Sequence, residues 1–138
     1  MVEWDQDKVD VAIIDIEVGS ENGFPDPYLA NEPITAIAWK TLGGHMHVWG
    51  CGDFVNDNTD AVTYHKCKDE WTLCKSFLTL WSQNTPDVLT GWNTKFFDVP
   101  YLVNRFRRIL GDNETKKLSP WNFISERKTV IKIGRAHV

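Results

Sequence analysis

The stretch Asp10-Val-Ala-Ile-Ile-Asp15-Ile-Glu17-Val18 decides the fold. It is apolar and β-branched, which predicts a strand over about Val9–Val18 buried on both faces. Residues two apart on a strand point the same way, so Asp15 and Glu17 leave the sheet on one side, a few ångströms apart. Two buried like charges at that spacing repel, and either one takes up a proton or a cation sits between them. A buried Asp-x-Glu on a core strand is therefore a divalent-metal hypothesis. Its alternative is an edge strand with a solvated acidic face.

A second constellation lies at Val88-Leu-Thr-Gly-Trp-Asn-Thr-Lys-Phe-Phe-Asp98-Val-Pro-Tyr-Leu-Val-Asn-Arg105. Val88–Thr90 reads as a short strand, 91–97 as a turn, and Val99–Leu110 as a helix. The apolar residues Val99, Leu102, Val103, Phe106, Ile109 and Leu110 fall at helical spacing. Pro100 is tolerated only in a first turn, which fixes the helix start. Asp98 then stands where the peptide dipole favours an anion. Taken alone it reads as an N-cap. Beside a strand carrying Asp15 and Glu17, a third carboxylate from a strand-turn-helix corner has a more specific use.

At these residues the chain resembles a known family. Asp15-Ile-Glu17 is similar to the first exonuclease motif of the family B DNA polymerases. Thr90-Gly-Trp-Asn-Thr-Lys-Phe-Phe-Asp98-Val-Pro-Tyr-Leu resembles their second, in the form found in T4-like phage polymerases. The likeness runs from about Val9 to Pro120. Asp-x-Glu alone is unspecific, whereas the Gly-Trp-Asn…Phe-Asp-x-Pro-Tyr string is strong. The resemblance implies a truncated α/β domain of the ribonuclease H-like 3′→5′ exonuclease fold, a mixed central sheet with flanking helices. It implies a proofreading nuclease that hydrolyses the 3′-terminal phosphodiester of DNA with two Mg²⁺ ions, Mn²⁺ being a possible substitute. Asp15 and Glu17 would hold one ion; Asp15 and Asp98 would reach a second roughly 3.5–4 Å away. Hard oxygen ligands suit Mg²⁺.

The family's third motif, a Tyr followed closely by an Asp, is missing. Only Asp112, Glu114 and Glu126 follow Asp98, and no Tyr follows Tyr101. The polymerase palm, fingers and thumb are missing too. The expectation is a partial exonuclease domain over 1–132 of a longer polymerase, itself weak or inactive. Residues 133–138 read like a translated sequencing adapter and are set aside as a non-native tail. Met1 is read as an internal methionine of the parent. That parent would act on primer-template DNA with replisome and sliding-clamp partners in a phage-infected bacterial cytoplasm. Two rival readings stay open: a stand-alone DNA or RNA exonuclease of the same fold, and a non-catalytic nucleic-acid-binding module.

Around this core the remaining residues set bounds. A chain of 138 residues buries one core. No apolar run approaches the roughly 18 residues a membrane helix needs. Three cysteines, Cys51, Cys67 and Cys74, form no Cys-x-x-Cys pair, so a disulfide framework is not expected. Zinc at His65, Cys67 and Cys51 ranks below ordinary packing. His45 and His47 read as one-sided surface residues, and the seven tryptophans mostly as core.

Net charge is −4, but residues 1–92 carry 5 basic and 15 acidic side chains against 10 and 4 in 93–138. Arg105, Arg107, Arg108, Lys116, Lys117, Arg127 and Lys128 are candidates for a phosphate-facing strip, with surface solvation the alternative for any one of them. Phe24, between Gly23 and Pro25, is placed to stack on an unpaired terminal base, or to anchor its loop against the sheet. Asn93 reads either as an edge of the site or as a turn residue bonding its own backbone. Tyr101 reads as packing.

The rest of the chain supplies the order of elements. Gly19–Pro33 is a loop too polar for the core. Ile34–Thr41 and His45–Cys51 flank a Leu42-Gly-Gly hairpin signal. Val62–Lys66 is a short strand. Asp69–Ser82 is an amphipathic helix with Trp71, Cys74, Leu78 and Trp81 on one stripe and Leu73, Phe77 and Leu80 beside it.

Overall fold

The computed structural model describes residues 5–127. Trp4, Lys128 and the tail at 133–138 lie outside them. Five strands form one sheet: β1 (Val11–Val18), β2 (Ile34–Thr41), β3 (Met46–Gly50), β4 (Val62–Lys66) and β5 (Val88–Thr90), in the order β4-β3-β2-β1-β5. β2 runs antiparallel to both β1 and β3, while β5 is parallel to β1 and β4 parallel to β3. Helices α1 (Glu70–Gln83), α2 (Asp98–Leu110) and α3 (Asp112–Thr115) complete the fold.

The β2–β3 hairpin turns where the glycines require it. Gly43 has φ +71°, a left-handed conformation that side chains disfavour. The Asp69 side chain accepts a hydrogen bond from the Thr72 amide at 2.8 Å and so starts α1.

The core lies on one side of the sheet only. Ala12, Ile14 and Ile16 of β1 are buried with Ile37 and Trp39 of β2, under Phe77, Leu78 and Trp81 of α1 and Tyr101, Leu102 and Phe106 of α2. On the other face Ile13, Asp15 and Glu17 are exposed. This corrects the reading of β1 as a strand buried on both faces. Its apolar run was continuous, but both long helices cover the same face.

The six tryptophans among the described residues divide evenly. Trp39, Trp49 and Trp81 are core, while Trp71, Trp92 and Trp121 are exposed. Trp71 borders the α1 stripe instead of facing the sheet. The loop at 19–33 is also less solvated than expected, since Pro25, Ala30 and Glu32 are buried in it.

What holds that loop is a polar stripe on α2. Tyr101, Asn104, Arg105 and Arg108 share one helical face by their spacing. The Tyr101 hydroxyl donates to the Glu32 carbonyl at 2.6 Å, and Asn104 donates to that of Pro27 at 2.9 Å. Arg105 and Arg108 donate to the carbonyls of Ala30 and Leu29, at 3.1 and 2.8 Å. Arg105 also grips Glu70 of α1 with two hydrogen bonds, at 2.6 and 2.8 Å. The pair is largely buried, and Glu70 in turn accepts from the Ile34 amide that opens β2.

His45 and His47 are half-buried, not surface residues. They line a cavity of about 220 Å³ with Trp39 and Leu80. His47 Nδ1 and His65 Nε2 stand 3.0 Å apart and share one hydrogen bond. Their ring centroids are 5.3 Å apart, the separation of two imidazoles whose facing nitrogens point straight at each other.

Two predictions follow from these buried polar groups. Breaking the Arg105–Glu70 pair from one side strands a charge, so Arg105→Met should lower stability by about 3–5 kcal/mol in urea unfolding. Adding Glu70→Leu should recover part of that loss.

Burial lowers the pKa of both His47 and His65 below 6.5, and at His47 the neighbouring His65 and His45 add to the effect. The unfolded imidazoles take up protons near pH 6.5 and the folded ones resist, so this contribution is present above that pH and lost below it. The thermal midpoint should fall between about pH 7 and 5, ahead of the carboxylates. His47→Gln should flatten that part of the profile, whereas an equally steep fall in the variant would contradict the assignment.

Candidate active site

Strand β5 is short, and the whole site follows from its length. It pairs with Val11, Ala12 and Ile13 of β1 and ends at Thr90. Beyond Ile13, the β5-side edge of β1 has no strand beside it among the described residues. The chain leaves β5 through Gly91, whose absent side chain lets it pass against β1. A Cβ there would lie 2.5 Å from the Ile14 carbonyl oxygen and 2.6 Å from the Thr94 methyl. No side chain fits in that gap. This is the physical reason for the glycine of the Gly-Trp-Asn string, a signal legible only once β1 and β5 are known to be neighbours.

Asn93 then turns the chain. Its φ is +55°, a left-handed position that Asn tolerates better than most residues. Its carbonyl accepts from the amides of Phe96 and Phe97, at 3.2 and 3.0 Å. The Asn93 side chain is exposed, so the turn geometry itself rests on the backbone.

The turn delivers Asp98 to the open edge of β1. Its Oδ1 accepts from the Ile16 amide at 3.0 Å, and the residue is 4% exposed. Asp98 is the first residue of α2, and Phe97 holds the cap position without a side-chain bond. The carboxylate thus serves β1 in place of its own helix, and it enters the sheet edge between Asp15 and Glu17. Burial raises the Asp98 pKa, the Asp15 charge raises it further, and the Ile16 amide opposes both. The structure therefore brings Asp15 and Asp98 into one electrostatic neighbourhood, with Asp15 and Glu17 on the exposed face of the same strand.

The donors fit a hard divalent cation in type, being carboxylate oxygens. They fall short in number: among the described residues, no three His, Cys, Asp or Glu side chains stand close enough to hold one ion.

The other expected residues are dispersed. Phe24 is 89% exposed, with its ring 6.0 Å from that of Phe97 beside Asp98. Lys116 and Lys117 are exposed near the end of the helical segment, and Lys117 pairs with Glu114 at 2.8 Å. Arg105 is a correction, because its guanidinium is turned inward to Glu70 and Ala30 and leaves the phosphate-facing strip. Its basic neighbours Arg107 and Arg108 lie two and three positions further on the same helix, so sequence alone did not separate the inward one. Glu32 and Tyr101 were missed as a pair that pins the loop after β1.

A mixed five-stranded sheet with helices on one face and carboxylates at the end of β1 defines a class of α/β domain. The sequence matches the DNA polymerase family B exonuclease domain over residues 2–137. It is 34% identical to the DNA-directed DNA polymerase of Escherichia phage RB69, over 96% of this chain and 17% of that one. With the DNA-directed DNA polymerase of Enterobacteria phage T4 it shares 32% identity, over 85% of this chain and 16% of the relative. Among solved structures, the family B DNA polymerase of the hyperthermophilic archaeon Pyrobaculum calidifontis superimposes with a TM-score of 0.54 at 30% identity, covering 75% of this chain and 11% of that one. The chain belongs to the family B DNA polymerase exonuclease domain family, and it spans about a sixth of the curated phage relatives.

The Asp98 geometry makes a direct prediction. Asp98→Asn keeps an oxygen for the Ile16 amide and removes the charge that burial and Asp15 disfavour. It should be at least as stable as the parent at neutral pH. Asp98→Ala leaves the amide unsatisfied and should cost about 1–3 kcal/mol. Equal denaturant midpoints for the two variants would contradict this account.

Proposed function

We propose that this chain is part of the proofreading 3′→5′ exonuclease of a replicative DNA polymerase and acts on the single-stranded 3′ end of DNA. The observation that carries the proposal is the Asp98 carboxylate lodged on the Ile16 amide, between Asp15 and Glu17. Asp15, Glu17 and Asp98 would hold divalent ions, Mg²⁺ or in its place Mn²⁺. Those ions, when bound, supply acidification of the attacking water and neutralisation of the leaving 3′-oxygen.

The protein's own contribution is positional. The Ile16 amide fixes one oxygen of Asp98, leaving the other for the site. Phe24, exposed and set against Phe97, offers a face on which the terminal base stacks. The Asn93 turn sets the entry angle of α2. Lys116 and Lys117 supply positive charge for the phosphate backbone, and Arg105 acts at a distance by holding Glu70 and the loop carbonyl. Mismatched ends would be preferred because they cost less to unpair.

The whole parent would carry out template-directed synthesis on primer-template DNA with clamp and replisome partners in the cytoplasm of a phage-infected bacterium. Among the described residues no helix is long and apolar enough to cross a membrane. Residues 1–132 would be the partial domain and 133–138 a non-native tail. A set of carboxylates that does not close around an ion leaves the isolated piece weak or inactive.

The test is a 3′-labelled single-stranded oligonucleotide assay with Mg²⁺ or Mn²⁺. Any label release should be slow and should vanish in Asp15→Ala, Glu17→Ala and Asp98→Ala. Robust digestion that survives Asp15→Ala would refute the site.

A further inference from the structure

The face of α2 turned away from the sheet is unlike an ordinary solvated helix face. Val99 and Val103, expected in the core, are instead half-exposed and floor a groove of about 270 Å³. Tyr28 and Phe96 line it too, 67% and 72% exposed. Around them stand Lys95, Arg107 and Arg127, against the single carboxylate of Glu126. Lys95 Nζ sits 5.5 Å above the Phe96 ring centre, a cation held on an aromatic face. Arg107 lies 3.7 Å from Asp112, an exposed pair that competes only weakly for its charge. In a chain with four more acidic than basic residues, this concentration of cations around apolar rings is local and sign-specific.

We propose that this groove is a track for single-stranded nucleic acid leading away from the Asp15/Asp98 edge, with bases stacking on Phe96 and Tyr28 and phosphates facing Lys95, Arg107 and Arg127. The inference rests on the exonuclease reading for its substrate class, and it extends that site along the helix. Phe96 stands two residues before Asp98, so the groove begins where the candidate carboxylates end. From Val99 to Arg107 the helix rises about 12 Å, three or four nucleotides at about 3.4 Å each. An aromatic floor with a basic rim is the pattern that takes unpaired strands without regard to sequence. An apolar peptide would use the floor and leave the charge of the basic rim unused.

The test measures binding apart from hydrolysis. Fluorescence anisotropy of 5′-labelled oligo-dT of three, six and nine nucleotides is followed with EDTA present, using the full chain. Affinity should rise from three to six nucleotides. Phe96→Ala should weaken the six-nucleotide probe about 5- to 150-fold while leaving the thermal midpoint unchanged, because the ring is exposed. Lys95→Gln with Arg107→Gln should reduce the slope of log K against log salt by about 1.4.

Asp15→Ala serves as the separating variant, which should lose any hydrolysis and bind like the parent. Loss of binding in Phe96→Ala would support the track even if no variant hydrolyses DNA. Unchanged affinity in the groove variants would overturn it even if hydrolysis is robust. Failure of every oligonucleotide to bind would also overturn it and leave the groove to a protein segment.

Discussion

One hydrogen bond organises the functional end of this domain: the Asp98 carboxylate accepting from the Ile16 amide at 3.0 Å. β5 stops at Thr90, so among the described residues the amide faces an edge with no strand to satisfy it. A buried amide without an acceptor is costly, and the fold supplies one from a helix start. The same bond fixes three further things: the entry of α2, the placement of a carboxylate beside Asp15, and the need for a glycine where β5 passes the Ile14 carbonyl. In the register of β1 with β5, Ile16 stands opposite position 93, three residues past the end of β5, and Asp98 supplies the acceptor there.

The second organising device is the polar stripe of α2. Four side chains at helical spacing end on the carbonyls of residues 27, 29, 30 and 32, and Arg105 ties the arrangement to α1 through Glu70. A 15-residue excursion between β1 and β2 is long for a compact domain. Such a loop otherwise carries unpaired carbonyls wherever it touches the protein. Here the helix supplies their donors, so the loop that bears Phe24 is anchored at its far end while Phe24 itself stays exposed. Anchoring and exposure coexist because Pro25 and Ala30 are buried while Phe24 is not.

Much of this was legible in the residues. The β-branched run at 11–18, the Gly-Gly hairpin, the amphipathic stripe of α1 and the Pro100 helix start each correspond to a single local cause, and each element formed where that cause put it, apart from Asp69, which caps α1 instead of opening it. The corner carrying Asp98 was legible for the same reason, as a strand, a glycine turn and a helix in immediate succession.

What stayed hidden depends on which neighbour covers which face. Continuous apolarity at β1 suggested two covered faces, yet α1 and α2 share one. Val99 and Val103 have the spacing of core residues but lie on the flank of α2 that meets the groove instead of the sheet. Arg105 and Arg107 are both arginines on one helix, and only the position of Glu70, 35 residues away in sequence, draws the first inward. Trp71, Trp92 and Trp121 are as apolar as Trp39 or Trp49, and composition cannot say where the covering elements run out.

The acidic end of β1 also sets stability against chemistry. Desolvation and the Asp15 charge both work against an ionised Asp98, while the Ile16 amide favours it. Packing alone would favour a neutral acceptor at the same place, since an amide oxygen could hold the Ile16 amide equally well. Asp15 and Glu17 contribute nothing to the core, occupy the uncovered face, and add charge to an already acidic half of the chain. Of the three carboxylates only Asp98 serves the backbone of the sheet, through the Ile16 amide.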